Sequence, residues 1–284
     1  MAKGQEIQKQ LQTIEGLRDI IHSMRSLAAT YLGQAEQRLD GVRAYADTVG
    51  RAIEDCLFGR EVRLPESETT GTAILVFFSE QGLCGRFNEV IAEAAAERAR
   101  SVNEPRFIVV GKRGPGLMQR LSLPVLAELA GTTSPNNLEA IIHDVARLVL
   151  DLKARDAFAR LYLLYAKYLS PGRIEPTFER VLPLDLQQWR AAESEGTSPP
   201  RLALPRIGLL WELVNEYAFV SLYRALIESL ASENGMRLQS MEAAKSNVDE
   251  TLTDLELQVR IQRQNEITEE LLDVVSGAEA LRHS

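Results

Sequence analysis

The feature that most constrains this chain is an apolar seam running along its N-terminal part. Stepping alternately by four and three residues from Ile7 to Cys56 meets apolar or small side chains everywhere except at Arg18 and Arg25. No proline occurs before Pro65, so nothing in this stretch breaks a helix. A seam with a period of about 3.5 residues predicts a long helix that packs against another helix in a coiled coil.

The C-terminal part of the chain carries the same pattern from Leu210 onward. Its polar positions are Arg224, Asn234, Lys245 and Gln262. The phase then slips by about one residue, and the seam continues as Ile267, Leu271, Val274, Ala278 and Leu281. Because no proline follows Pro205, we expect one helix over 207–281. At 1.5 Å per residue it would be roughly 110 Å long, more than this chain alone can cover.

Two long helices at opposite ends of one chain pair most simply as an antiparallel coiled coil, with the middle of the sequence inserted at the turn. The polar seam positions lower the stability of such a pair. They either fix its register or face another protein that surrounds part of the helices, and the sequence leaves both explanations open. The apolar stripe at the far end of the C-terminal helix favours a surrounding protein, since it extends beyond the N-terminal helix.

Between about residues 70 and 190 the pattern changes to short apolar strands that alternate with helices. The predicted strands are 72–79, 106–111, 159–169 and 177–184, and the predicted helices are 89–101, 115–121 and 137–156. This alternation predicts a small, doubly wound, Rossmann-like α/β domain with a largely parallel sheet. The chain then divides into a coiled-coil helix (1–60), an α/β domain (70–190), a polar, proline-rich linker (191–206) and a second coiled-coil helix (207–284).

Composition narrows the class of protein. The formal charge of −8 argues against a nucleic-acid binder, because phosphate backbones are held by clustered Lys and Arg. No apolar run approaches the ~20 residues that span a bilayer, and the first ten residues lack the apolar core of a secretory signal. Cys56 and Cys84 are too far apart for a disulfide framework or a metal-ligand spacing. We expect a soluble protein of a reducing compartment, with any membrane role supplied by partners.

The segment SEQGLCGRFN (79–88) joins an apolar strand to a helix, where many proteins bind phosphate. A Walker loop requires Lys and then Ser or Thr after its last glycine, whereas Arg86 follows Gly85 here. A dinucleotide loop requires GxGxxG and an acidic residue after the second strand, whereas Gly-Lys-Arg ends that strand here. We therefore expect a structural turn formed by Gly82, Leu83, Cys84, Gly85, Arg86 and Asn88, with the glycines permitting positive φ.

Other catalytic constellations are equally weak. The three histidines, His22, His143 and His283, fall on separate predicted elements, and Cys84 has no histidine nearby in sequence. A small packed residue is the expected role of Cys84. The sequence therefore predicts no catalytic centre, no cofactor and no metal site.

Three stretches of the chain carry motifs of one family. Residues 79–88 are similar to a Ser-Asp-x-Gly-Leu-Cys-Gly-x-x-Asn turn, and ASENGMRLQSMEAAKSN (231–247) is similar to Ala-Ser-Glu-x-x-x-Arg-Met-x-x-Met-x-x-Ala-x-x-Asn. Residues 263–281 contain an Ile-Thr-x-Glu-x-x-Asp/Glu-x-x-x-Gly-Ala signature at Ile267, Thr268, Glu270, Asp273, Gly277 and Ala278. With these motifs in this order, the chain resembles the gamma subunits of F-type ATP synthases over essentially its full length.

The resemblance implies a non-catalytic central shaft. Its paired helices would lie inside a ring of alternating alpha and beta subunits, and its globular foot would rest, with the epsilon subunit, on the membrane-embedded c-ring. Flow of hydrogen ions or sodium would turn the c-ring, and the asymmetric shaft would force the beta sites through different affinities during ATP synthesis or hydrolysis. The implied location is the cytoplasmic face of the bacterial plasma membrane, peripheral through the complex, without direct membrane insertion.

The resemblance also implies contacts with the alpha and beta subunits. Arg263 and Gln264 correspond to an Arg-Gln pair that meets a beta-subunit loop, and the planar fork of Arg suits a carboxylate. The same contacting turn would contain Thr268, Glu269 and Glu270. Met24 corresponds to a methionine beside an acidic beta-subunit segment, with Arg25 next to it, and simple packing explains Met24 equally well.

The N-terminal helix departs from the family pattern at DIIHSMRSLAA (19–29). Ile21, His22 and Ser26 stand where the family usually has Thr, Lys and Met, which leaves Arg18 and Arg25 to make charged contacts. The divergence points to an unusual lineage, such as a second or sodium-coupled ATPase. Two rival functions are a stand-alone nucleotide-binding α/β protein with helical extensions and a generic coiled-coil scaffold.

Overall fold

Two long helices bound the chain. In a computed structural model, the described residues are 2–58, 62, 71–189 and 205–282, with the side chains of 2–5, 188, 270, 273 and 276–282 outside the description. Helix α1 is Ala2–Leu57 and helix α5 is Arg206–Arg282. Apart from its last two residues, the predicted linker over 191–206 lies outside the described residues, as does His283.

The α/β domain contains a mixed five-stranded sheet in the order β3-β2-β1-β4-β5. Four strands are parallel, namely β1 (Thr72–Phe77), β2 (Pro105–Val110), β3 (Val125–Leu129) and β4 (Arg160–Ser170). Strand β5 (Arg173–Leu182) pairs antiparallel with β4. The turn between them, Pro171 and Gly172, is too short for the crossover that a parallel strand needs.

The sequence pattern missed β3 and placed the start of β5 four residues too late. Strand β3 has five residues, lies at the edge of the sheet and contains no fully buried side chain. Its apolar signal is therefore weaker than that of the fully buried β1, whose six residues read as a continuous apolar run. The register of β5 is shifted near both of its ends, which also blurs the alternation.

Helices cover both faces of the sheet. On one face, α2 (Phe87–Ala99) and α3 (Gly114–Arg120) pack against the alternate residues Ile74 and Val76 of β1. On the other face, α4 (Leu138–Ala154) and parts of α1 and α5 pack against Leu75 and Phe77. Successive side chains of a strand point to opposite faces, so β1 contributes to both cores.

The chain divides into two compact units, Ala28–Gln239 and Met1–Leu27 with Ser240–Ser284. In the larger unit, Arg43 Nη2 lies 2.6 Å from Glu228 Oε1, and Arg206 Nη1 donates to the Cys56 carbonyl at 3.2 Å. Rising residue numbers on α1 thus meet falling numbers on α5. The buried α1 residues of this unit include the predicted seam positions Ala28, Leu32, Ala35, Leu39, Ala46, Val49, Ile53 and Cys56.

The smaller unit is built from the other ends of α1 and α5. Its core is a cluster of Ile21, Met241, Val248 and Leu252, against which Leu11, Ile14, Met24 and Ala244 pack. An ion pair joins Arg25 Nε to Glu242 Oε2 at 2.6 Å. Among the described residues, no helix is both long enough and apolar enough to cross a membrane.

The polar residues of the α5 seam have partners within the chain. Arg224 Nη2 donates to both carboxylate oxygens of Glu179 on β5, at 2.8 and 2.7 Å. Asn234 donates to the Leu230 carbonyl at 2.9 Å, and Lys245 forms an ion pair with Asp249. These contacts give a third explanation for polar seam positions, because in the larger unit the helix is bonded to the sheet as well as to α1.

Candidate functional site: the crevice at the strand ends and the end of α5

The turn at 79–88 is closed by its own polar side chains. Asn88, in the first turn of α2, accepts a hydrogen bond from the Ser79 backbone N–H at 3.0 Å and donates to the Ser79 hydroxyl at 2.8 Å. Its amide also lies 3.3 Å from Cys84 Sγ. Positive φ occurs at Gly85 (57°), as predicted, but the other residue with positive φ in the turn is Leu83 (63°) and not Gly82. Burial raises the pKa of the Cys84 thiol, which is the reverse of what a nucleophilic thiolate needs.

Glu80 ties this turn to the ends of the next two strands. Its Oε2 accepts from the Gly131 N–H at 2.8 Å, and its Oε1 lies 2.6 Å from Lys112 Nζ. Burial raises the pKa of Glu80, but the hydrogen bonds from Lys112 and Gly131 outweigh it, and the pKa is lowered. Gly111, with φ of +102°, lies so close to the Phe78 carbonyl that a Cβ would not fit. The strand ends are thus closely packed.

Arg237 of α5 enters the crevice at the carboxyl end of β1. Its Nη2 donates to the carbonyls of Gln81 at 3.4 Å and Gly82 at 3.3 Å, and it also lies 2.6 Å from Glu233 Oε1. Both side chains of this ion pair are almost fully buried. Burial raises the pKa of Glu233 to about 7, against the opposing effect of Arg237. Open α/β sheets usually bind ligands in this crevice; here a side chain of the chain's own helix contacts the turn.

A second set of α5 side chains binds β4. Ser232 Oγ donates to the Ala166 carbonyl at 2.9 Å, and Glu228 Oε2 accepts from the Tyr168 N–H at 2.9 Å. The other oxygen of Glu228 pairs with Arg43 of α1. Glu228 therefore connects α1, α5 and β4 through one buried carboxylate.

Two predicted partner-contact residues, Met24 and Arg25, lie in the smaller unit. Met24 packs, partly buried, against the apolar cluster between α1 and α5. Arg25 forms the ion pair with Glu242 described above. Arg18, the other candidate for a charged contact, lies 3.6 Å from Asp19, and His22 is exposed. Met24 and Arg25 thus both have contacts within the chain.

The other predicted contacts lie together on the C-terminal part of α5. Arg263, Gln264, Thr268 and Glu269 are all exposed, whereas the side chain of Glu270 lies outside the described residues. Thr268 Oγ1 donates to the Gln264 carbonyl at 2.8 Å, one turn back along the helix. The four exposed residues occupy two consecutive turns, as the spacing of the signature requires.

The same stretch of α5 exposes a set of large apolar side chains. They are Leu257, Ile261, Ile267, Leu271, Leu272, Val274 and Val275. Steps of four and three from Leu257 pass through Ile261, Gln264 and Thr268, so the apolar stripe includes the predicted polar contacts. A large exposed apolar surface with polar groups among its apolar side chains is typical of a surface that binds protein.

Comparison with known families decides what kind of protein carries this arrangement. The family model described as ATP synthase matches residues 3–281. The chain belongs to the ATP synthase gamma family. Similar relatives are the gamma chains of Delftia acidovorans, 28% identical over 291 residues, and Geotalea uraniireducens, 29% identical over 293 residues. Each match covers 99% of this chain and 100% of the relative.

Solved structures of the family share the fold. A chain of the mitochondrial ATP synthase of Euglena gracilis, in an OSCP/F1/c-ring structure, matches with a TM-score of 0.69 and 14% identity, covering 99% of this chain and 95% of that chain. A central-stalk/c-ring chain of Tetrahymena thermophila matches with a TM-score of 0.56 and 19% identity, covering 79% and 99%. The gamma subunit is the central-stalk rotor of ATP synthase, and both the family motifs and the long terminal helices of this chain agree with that role.

Sequence reasoning missed the gamma subunit's internal contacts through Glu228, Ser232, Glu233 and Arg237. All four are buried in the middle of α5. The sequence does contain a signal for these contacts. The four polar residues interrupt a segment of α5 whose apolar residues lie on more than one side of the helix. Such a segment indicates a helix buried around most of its circumference. The motif at 231–247 contains three of these residues, but a motif alone does not assign their contacts.

Proposed function

We propose that this chain is a non-catalytic shaft that couples ion flow through a c-ring to ATP synthesis or hydrolysis in the beta subunits of a surrounding alpha/beta ring. The ends of α1 and α5 would form an antiparallel coiled coil, and the doubly wound, Rossmann-like domain over 70–190 would be the foot that meets the epsilon subunit and the c-ring. The remaining segments would be the helices over 1–60 and 207–284 and the linker over 191–206. The complex would sit at the cytoplasmic face of a bacterial plasma membrane.

The observation that carries this proposal is the exposed apolar stripe on α5 from Leu257 to Val275. Burial of one large aliphatic side chain stabilises a complex by roughly 1.5–3 kcal/mol. Several such side chains along one helix therefore represent a large driving force for association. Partner subunits that surround the helix would bury this surface away from water.

The polar residues on the stripe would give the contact its orientation. Arg263 is exposed and can present its guanidinium to a carboxylate of a beta subunit, with Gln264, Thr268, Glu269 and Glu270 on the same contact surface. Met24 and Arg25 would contribute from α1. Since Arg25 already pairs with Glu242, its contact with a partner would have to share or replace that ion pair.

Two further observations weigh against the rival functions. The crevice of the sheet, where a nucleotide-binding protein would hold its ligand, contains the Arg237 contacts with the turn after β1. The apolar stripe on α5 also includes the charged and amide groups of Arg263 and Gln264, which a generic scaffold would not require. Titration with ATP and NAD should give no affinity tighter than the millimolar range.

Co-expression with alpha and beta subunits tests the proposal. Alone, the chain should be poorly soluble because of its apolar stripe, and it should be recovered in a stable complex when alpha and beta are present. Arg263→Ala should lower the ATPase activity or coupling of the assembled complex without loss of helicity in the isolated chain. Arg260→Ala serves as the matched control, because Arg260 lies one turn earlier and pairs with Glu256. Soluble self-assembly of the chain, with no binding of alpha and beta, would support the scaffold instead.

A further inference from the structure

Strand β4 extends beyond the end of its parallel neighbour β1. Pairing between β1 and β4 ends at Val76 and Leu164, whereas β4 continues to Ser170. From residue 165 onward, one edge of β4 therefore has no strand beside it in the part of the chain that the structure describes. An unpaired edge leaves backbone N–H and C=O groups that need other partners when they are buried.

Helix α5 supplies those partners through side chains. Ser232 donates to the Ala166 carbonyl and Glu228 accepts from the Tyr168 N–H. The N–H and C=O of a strand residue point to the same edge, so the Ala166 carbonyl that Ser232 binds points away from β5, where Pro176 lies opposite. Two polar residues one helical turn apart thus complete two successive positions of a strand edge.

The approach of α5 to β4 is unusually close. A Cβ added at Gly235 would lie 2.9 Å from Cε2 of Tyr168. Two residues further along, Arg237 reaches the carbonyls of Gln81 and Gly82. In the sheet, β2 lies on one side of β1 and β4 on the other. The strand order therefore reverses between β1 and β4, at the end of the sheet that Arg237 contacts. Helix α5 occupies it as a ligand would.

We propose that the contacts of Glu228 and Ser232 with β4 are the joint through which the long helices transmit torque to the sheet domain, with Glu228 as its main positioning residue. This inference rests on the proposed function as a shaft. Glu228 is suited to the role because one carboxylate binds groups from α1 and β4 at once, and its side chain is only 3% exposed. Charge-assisted hydrogen bonds in a buried site resist distortion more strongly than exposed ones.

The carboxylate is required for both bonds. In Glu228→Gln the amide has a single acceptor oxygen, so it can accept from Arg43 or from the Tyr168 N–H, and its NH2 group then faces the other donor. The variant should loosen the joint with little change in side-chain volume. Glu242→Gln is the matched control, since Glu242 also binds an α1 arginine at 2.6 Å but has a 57% exposed side chain.

The test measures the stiffness of the joint in the assembled complex. The alpha/beta ring is immobilised, a bead is attached to an exposed cysteine introduced by Glu97→Cys on α2, and the angular fluctuations of the bead are recorded. The native cysteines are both buried, which leaves the introduced one as the accessible thiol. The angular variance of Glu228→Gln should rise by about twofold over the Glu242→Gln control, because one of the two bonds that the buried Glu228 carboxylate accepts is lost.

Each outcome decides a different question. Equal variance in Glu228→Gln, Glu242→Gln and the unsubstituted complex overturns the joint while leaving the proposed function intact. Failure of the unsubstituted chain to assemble with alpha and beta overturns the proposed function instead. If Glu228→Gln does not assemble, Ser232→Ala decides, since it deletes one hydroxyl and should raise the variance by a smaller factor; an unchanged variance in that case contradicts the joint.

Discussion

Among the residues whose side chains the structure describes, two ion pairs join α1 to α5, and in both a guanidinium nitrogen lies 2.6 Å from a carboxylate oxygen. The Arg25–Glu242 pair of the smaller unit is exposed, whereas Glu228 in the pair with Arg43 of the larger unit is buried. Arg43 itself is 43% exposed, so the contrast lies in the two carboxylates. An exposed pair contributes about 0–1 kcal/mol, while a buried carboxylate such as Glu228 that loses a donor costs about 1–3 kcal/mol or more. The same two helices therefore have one region whose polar groups are satisfied within the chain and one region that, on our proposal, partner subunits would cover.

The largest expected effect concerns Arg237 of the larger unit. Arg237→Ala leaves Glu233 and two turn carbonyls without their donor, so it should lower the free energy of unfolding by about 3–5 kcal/mol above pH 7. Arg260→Ala removes an exposed arginine that also has a glutamate four residues before it, and should change the value by less than about 0.5 kcal/mol. Urea unfolding followed by circular dichroism measures the free energy of unfolding of both variants. Equal losses in the two variants would contradict the difference between the buried and the exposed region of α5.

Apolar residues of α5 should follow the same division. Ile227 is fully buried, and Ile227→Ala should lower the free energy of unfolding by about 2–5 kcal/mol. Leu257 is more than half exposed, and Leu257→Ala should change the stability of the isolated chain by about 0.5 kcal/mol or less. The same Leu257 variant should weaken binding of the alpha/beta ring, measured by co-purification. A large loss of stability from Leu257→Ala would mean that the stripe is covered within the chain.

The pH dependence of stability provides a finer test of the buried region. Because burial raises the pKa of Glu233 from 4.5 to about 7, the folded chain holds a proton that the unfolded chain releases in this window. The stabilisation is present in full below pH 4.5 and is lost as the pH rises through about 7. Its size is about 1.4 kcal/mol for each unit of pKa difference.

Glu233→Gln should remove this dependence, whereas Glu242→Gln should leave it unchanged. Urea unfolding at several pH values between about 5 and 8 measures the slope for each variant. A Glu233→Gln slope equal to that of the unsubstituted chain would show that another group is responsible for it.

Whether an element of the fold could be predicted from the sequence depends on the length and regularity of its apolar pattern. The helices α1 and α5 and the strands β1 and β2 were predicted because their apolar periodicity is long or unbroken. Strand β3 was missed because it is short and lies at the sheet edge, and β5 was placed late because its alternation is irregular. The Arg224–Glu179 and Glu228–Tyr168 contacts join residues 45 and 60 positions apart, and no local pattern reports which distant group a buried polar residue will meet.

The predicted partner contacts from Arg263 to Glu270 could be located on α5 from the sequence because they follow a motif within one helix. Their exposure could not be predicted, since it depends on which other elements of the chain reach that end of α5. The sequence anticipated the apolar seam at Ile267, Leu271 and Val274, and the exposed side chains of Leu257 and Ile261 extend the apolar surface to the N-terminal side of the signature.

The most direct test of the central claim is thiol labelling at the stripe. Ile267→Cys introduces an accessible thiol at a half-exposed position of α5, and Glu97→Cys on α2 is the control. If alpha and beta subunits enclose this end of the helix, labelling of Ile267→Cys should slow by about tenfold or more in the assembled complex, while labelling at residue 97 stays the same. Labelling of Ile267→Cys at the same rate in the free chain and in the complex would contradict the account.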